Sequence, residues 1–338
     1  MLKHMSREQS RRAYKTTRIN PSLAIRIALL VILVSLVLWK VDILSVTRFL
    51  TAHVLFNLIL IQPLVLLTYI LLAIRFAILV QTPPSPLMPT LKAIFLAFGM
   101  NVILPGRISE LLKATYLRDR AGISMSAGLS AIFLERMADI MVLAMLSLIS
   151  ISFYLVDISR GIAIAFVVVP IAAMILLMRM EKYFIKLISL LPWEPVRGFL
   201  ERFLSHTVQH LRQGTFYKAL LLSAAVWLCD FIFVAFFIHY AGSIPVSLSG
   251  VLMVLVAIVI GAAIPALPGG LGTYEAAAVF SLKGLGYSVE EALALGIALH
   301  ISVVFLPIVA AVVILMTEHI GIAALFRQIV DAAKLEKV

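Results

Sequence analysis

The residues able to do chemistry in this chain are few, and most stand inside apolar runs. Glu135, Arg136 and Asp139 lie close together in one run. Glu135 and Asp139 are four apart and share a helix face, and Arg136 precedes Asp139 by three. A second group is Leu104, Pro105, Gly106, Arg107, Ile108, Ser109 and Glu110. A third is Leu267, Pro268, Gly269, Gly270, Leu271, Gly272, Thr273, Tyr274 and Glu275. A Leu-Pro-Gly turn with a carboxylate a few residues on therefore occurs twice. His300 sits alone in the last long apolar run, and Asp230 among aromatics in an earlier one. A charged side chain at the centre of a spanning helix costs about 2.5 to 3.5 kcal/mol on insertion scales. The chemistry open to these groups is charge pairing, proton exchange and the binding of an anion. The ionic groups read either as a structural network locking helices together or as a polar cavity handling a charged headgroup. Glu110 and Glu275 also fit ordinary complementation of a helix dipole. Asp230 reads as counter-ion to a cavity cation or as a helix–helix hydrogen-bond acceptor, and the sequence does not choose.

The elements that position these groups follow from composition. Of 338 residues 62% are hydrophobic and only 13% charged, whereas soluble domains are nearer half apolar and a quarter charged. This is the composition of an integral membrane protein. The single Cys229 excludes a disulfide framework and a cysteine metal site. The formal net charge of +11 points to cytoplasmic loops and anionic lipid headgroups, with no nucleic acid as partner. No cofactor, zinc, nucleotide or acyl-transfer motif is present.

The expected fold is an all-α polytopic membrane protein of about six spanning helices plus two re-entrant helical hairpins. The spans are expected at residues 23–39, 51–80, 124–156, 161–178, 219–240 and 288–316. Residues 1–22 form a basic cytoplasmic N-terminus, 23–317 a single transmembrane domain, and 318–338 a cytoplasmic tail. Gln81 to Pro89 reads as a proline-dense loop that cannot be helix. Residues 91–117 read as the first hairpin, because the apolar run up to Leu104 is too short to span. Residues 249–282 read as the second, with one helix ending near Ala266 and the next starting near Thr273. Residues 179–218 form a basic, partly amphipathic connector read as a solvated or interfacial face. The Lys and Arg residues outside the spans fall almost wholly on one side, which places both termini in the cytoplasm.

Repeat one (about 51–157) and repeat two (about 219–317) run in the same order of span, hairpin, span. Pro105 aligns with Pro268, Ser124 with Ser288 and Arg136 with His300. Entered from opposite sides, the two repeats are inverted, which is a transporter architecture with its site where the hairpin tips meet. Each returning helix points free N–H groups at the bilayer centre.

These residues resemble the membrane domain of the lysylphosphatidylglycerol synthase/flippase family over residues 23–316. The resemblance rests on Leu104 to Glu110, on Glu135 and Arg136, and on Pro265 to Glu275. It implies a membrane domain that moves lipids between leaflets. The soluble synthase domain of two-domain members is not found here, so aminoacylation, and enzyme activity generally, is not implied. The family pattern often has Arg where His300 stands.

The resulting expectation is a lipid flippase of the cell inner membrane. Its partners are anionic membrane lipids, either phospholipid or polyprenyl phosphate. Arg107, Arg136 and His300 would neutralise the phosphate. Pro268, Gly269, Gly270, Gly272 and Thr273 would offer turn backbone. Glu110, Glu135, Asp139 and Glu275 would hold the cations or accept protons. The alternatives are an accessory subunit of a lipid-modifying enzyme and an intramembrane lipid-modifying enzyme.

Overall fold

The computed structural model describes residues 52–80, 86–104, 108–154, 157–264 and 268–320. The first expected span and Arg107 lie outside these residues. Among the described residues all regular structure is helical, and the chain is an all-α membrane protein.

Three stretches are long and apolar enough to cross a bilayer: Phe56–Val80, Thr215–Ala241 and Val289–Thr317. The first runs from within α1 (Ala52–Leu60) through the whole of α2 (Gln62–Val80). The break falls at Ile61 because Pro63 brings no N–H to the ladder. Gln62 repairs it, its Nε2 donating to Leu58 O at 2.8 Å and to Ser302 O at 3.2 Å. Two short helices follow, α3 (Leu87–Met100) and α4 (Ile108–Ala121). Helix α3 corrects the expected loop, since Leu87, Met88 and Pro89 are already helical. A proline in a first turn gives up an N–H that has no intrahelical partner anyway.

Helix α5 (Met125–Tyr154) is 30 residues long, and α6 (Asp157–Ile188) is 32. Within α6 the backbone leaves helical geometry at Met180, close to the expected start of the connector. Helix α7 (Glu194–Arg212) carries the rest of it. Its apolar side packs on α5, with Phe203 against Phe133 and Thr207 bonded to Ser130 at 2.9 Å. Helix α8 (Thr215–Ala241) leads to a second pair of short helices, α9 (Leu248–Ala263) and α10 (Thr273–Gly284). Helix α9 stops at Ala263, three residues before the expected end, with Ile264 already extended. Helix α11 (Val289–Thr317) closes the described chain.

The packing repeats. Helices α2, α3, α4 and α5 correspond in order to α8, α9, α10 and α11. Helix α3 packs on α4 as α9 does on α10, and α4 on α5 as α10 does on α11. Across the halves α3 packs on α11 and α9 on α5, while α2 and α8 pack on each other. The long helices start alike: Ser124 Oγ accepts from Ala127 N at 3.3 Å, and Ser288 Oγ accepts from Glu291 N at 3.2 Å. Such caps satisfy a helix's first free donors.

Close approach depends on one glycine in particular. A Cβ at Gly99 would lie on the Pro307 carbonyl and against the Ala311 side chain. Gly99→Leu should therefore force α3 off α11 and cost about 1 to 3 kcal/mol by overpacking, read as a lowered Tm in detergent.

Candidate functional site

Arg75 is the centre of the charged network. It stands on α2, 1% exposed. Its Nη2 lies 3.1 Å from Glu135 Oε1, and its Nη1 lies 2.5 Å from Asp139 Oδ1 and 2.6 Å from Ser223 Oγ on α8. The four-residue spacing on α5 presents both carboxylates to the one guanidinium. Lys113 of α4 donates to the second oxygen of Glu135 at 2.5 Å, with its ammonium 4.7 Å from the centroid of the Phe76 ring. Four helices are tied together here.

Arg136 turns the other way. Its Nε is 3.3 Å from Glu110 Oε2 and its Nη1 3.6 Å from Asp139 Oδ2. These are loose ion pairs, and the buried Nε completes no hydrogen bond. Arg136 lines a cavity of about 160 Å³ together with Arg75, Asp139 and Asp230 and the rings of Tyr69 and Trp227. Asp230 makes no hydrogen bond or ion pair among the described residues. The Trp227 indole N–H, buried, is also without a partner. The cavity wall thus carries two arginines and two aspartates.

The second hairpin holds its own network. Pro268 opens a short 3-10 turn, and Gly269, Gly270 and Gly272 all have positive φ, a backbone that glycine adopts without strain. Glu275 Oε2 accepts from Gly272 N at 2.7 Å, and Thr273 Oγ1 donates to Gly270 O at 3.0 Å. His300 reaches from α11 to both sides of the turn. Its Nδ1 is 2.7 Å from Glu275 Oε1 and its Nε2 3.0 Å from Gly269 O. Gly269 O can only accept, so Nε2 carries the hydrogen of that bond, and Nδ1 shares the other hydrogen bond with the Glu275 carboxyl. The Tyr274 ring stacks on the imidazole at 4.4 Å.

The expected site residues thus fall into two groups. Glu135 and Asp139 come together on Arg75, and Arg136 and Glu110 join them through Asp139. Pro268, Gly269, Gly270, Gly272, Thr273, Glu275 and His300 come together at the second turn. The turns meet, for a Cβ on Gly269 would lie 3.4 Å from Val102 Cα. The pairing repeats as well: Glu110 with Arg136 in one half, Glu275 with His300 in the other. Two residues of the network, Arg75 and Lys113, and one of the cavity wall, Asp230, are not among the expected site residues. In the sequence Arg75 is a lone charge near the end of the 51–80 span, Asp230 fits two roles equally, and Lys113 belongs to no motif. Lys113 is one helical turn from Glu110, which was the signal available. Among the described residues no group of three or more His, Cys, Asp and Glu is placed to hold a metal.

At the far end of α11 a latch joins the halves. Glu318 lies 2.7 Å from Lys92 Nζ and 3.2 Å from Arg120 Nη2, and accepts from Tyr116 Oη at 2.8 Å. Burial works to raise the Glu318 pKa, but the bonds from Lys92 and Tyr116 and the charges of Lys92 and Arg120 outweigh it and hold the group below 4.5. A carboxylate lowered in the folded state contributes stability above its ordinary value and loses it as pH falls through the folded one. The Tm difference between wild type and Glu318→Gln should therefore hold steady from neutral pH down to the ordinary carboxylate range and shrink as pH falls below it.

No curated protein and no solved structure matches the chain. A family model does: that of the lysylphosphatidylglycerol synthase TM region, over residues 23–311. With that match spanning most of its length, this multi-pass membrane protein belongs to the lysylphosphatidylglycerol synthase TM family.

Proposed function

We propose that this protein is a flippase, carrying an anionic lipid between the leaflets of the cell inner membrane with both of its termini in the cytoplasm. The two short-helix hairpins re-enter the membrane from opposite sides, and the lipid phosphate passes through the charged cavity beside their tips. One observation carries this reading: a half-buried arginine, Arg136, whose Nε completes no hydrogen bond, lines a cavity at the crossing of two like-built halves. Broken helices at that depth are tolerated where they are buried in protein or line a cavity.

Ion-pair exchange supplies the mechanism. Arg136 is loosely shared by Glu110 and Asp139, so a phosphate can take the place of a carboxylate. Binding of this kind is weak enough to reverse, which transport needs. Arg75, by contrast, is fully engaged and fixes the wall. Arg107, one residue before α4 in sequence, supplies a second cation. Glu275 and His300 set the shape of the opposite turn, whose glycines let a headgroup approach the backbone. A phospholipid and a polyprenyl phosphate present the same group to this site.

The test is leaflet exchange in liposomes holding the purified protein. Labelled phospholipids and polyprenyl phosphates are compared for wild type, Arg136→Ala and Glu275→Ala. Faster exchange of one lipid class, lost in both variants, supports the reading. Exchange no faster than in empty liposomes, with or without a proton gradient, overturns it. An accessory role would then lead.

A further inference from the structure

The cavity has a neighbour on the outside of the protein. A groove of about 530 Å³ runs between α5 and α8 and reaches α9 at Leu252. Its lining is entirely apolar and includes Met145, Ile149, Leu221, Ala224 and Leu228. Trp227 lines both the charged cavity and the groove. The residue is nine-tenths buried, and its indole N–H has no partner. A polar donor held at the boundary of a charged chamber and an oily trough has a ligand of matching shape. That ligand carries an acceptor at one end and hydrocarbon at the other.

The geometry points to the α5–α8 groove as the binding site for a hydrocarbon chain of the transported lipid, with Trp227 as the partition that donates to the phosphate while the chain stays outside. This rests on the flippase reading and adds where the tail lies and which residue joins tail site to headgroup site. An apolar chain leaves the bilayer for the groove at little cost, since both surroundings are hydrocarbon-like. The headgroup alone then has to enter the protein. The charges facing Trp227 across the cavity come from three helices: Arg75 on α2, Arg136 and Asp139 on α5, and Asp230 on α8.

The experiment uses the full chain in lipid nanodiscs. The probe is phosphatidylglycerol with a diazirine at the end of one acyl chain, and adducts are mapped by mass spectrometry after irradiation. Met145 and Leu228 are 54% and 58% exposed; Phe305 and Val309 on α11 are 53% and 44% exposed and serve as controls outside the groove. Groove adducts should exceed control adducts by about tenfold, a preference near 1.4 kcal/mol. Ala224→Trp fills the groove and should remove that excess while the control adducts remain. Ala224→Leu, a milder filling, should reduce it if the tryptophan variant does not fold. Trp227→Phe keeps the ring and loses the N–H. It should keep the groove adducts and slow leaflet exchange about tenfold, as loss of a bond to a charged group does.

Equal labelling of groove and controls, or adducts indifferent to filling, overturns the tail site. Exchange unchanged in Trp227→Phe overturns the role of the indole. If wild type shows groove adducts but exchanges no lipid, the flippase reading fails and the tail site stands.

Discussion

Glu135→Ala is expected to unfold the charged centre of the protein. Its carboxylate is 1% exposed and is shared by Arg75 and Lys113. Removal leaves an ammonium with no anion and a guanidinium with half its partners, both in a water-poor interior. Breaking a buried pair on one side costs about 3 to 5 kcal/mol, against a total stability of about 5 to 15 kcal/mol. The expected result is loss of most folded protein, read by thermal melting in detergent. Glu135→Gln keeps the shape and should fail nearly as badly, because charge is what the two cations lack. The discriminating variant is the double change Glu135→Leu with Lys113→Met. It removes the carboxylate and the ammonium together and leaves Arg75 to Asp139 and Ser223, so it should recover much of the loss. A double variant no more stable than Glu135→Ala would mean that the cost comes from packing and not from unpaired charge.

Arg136→Ala should give the opposite profile. Its contacts to Glu110 and Asp139 are long, and its side chain is 28% exposed. Partly exposed ion pairs contribute about 1 kcal/mol or less, so the melting temperature should move by only a few degrees. Leaflet exchange should fall by about tenfold to a hundredfold, the worth of a charge-assisted hydrogen bond to phosphate. Arg136→Lys keeps the charge but loses the fork of donors, and should retain a small part of the activity. A folded Arg136→Ala protein with undiminished exchange would remove Arg136 from the transport path. Comparison of the two neighbours, Glu135 and Arg136, thus separates what holds the helices from what meets the lipid.

Much of this architecture was legible from the residues. The two Leu-Pro-Gly turns announced paired short helices, and Thr273 does begin α10 with Glu275 in its first turn. The alignment of Arg136 with His300 was readable at a nearly constant offset, and each pairs with the carboxylate that opens its own hairpin's returning helix. What stayed hidden was which charges meet. Arg75, Lys113 and Ser223 lie far from Glu135 in sequence or on unrelated helix faces, and no periodicity links partners on different helices. The apolar stretches look alike in composition, so the grooves between them leave no mark in the sequence. The start of α3 was misjudged because prolines forbid a helix interior but not its first turn.

The duplicated packing carries one consequence for motion. Counterparts α2 and α8 lie against each other, so whatever stands between them belongs to both halves at once. Arg75 stands there, yet its anions come from α5 alone. The positions that answer to Glu135 and Lys113 in the other half are Leu299 and Ala278, by the same offsets that align Arg136 with His300 and Glu110 with Glu275. The first half is therefore riveted by interlocked ions, and the second is fastened at its turn by a single imidazole. Backbone amides of α9 and α10 should open to deuterium at lower cost than those of α3 and α4. Whatever motion the molecule makes would then belong to the second half, with the first serving as its frame.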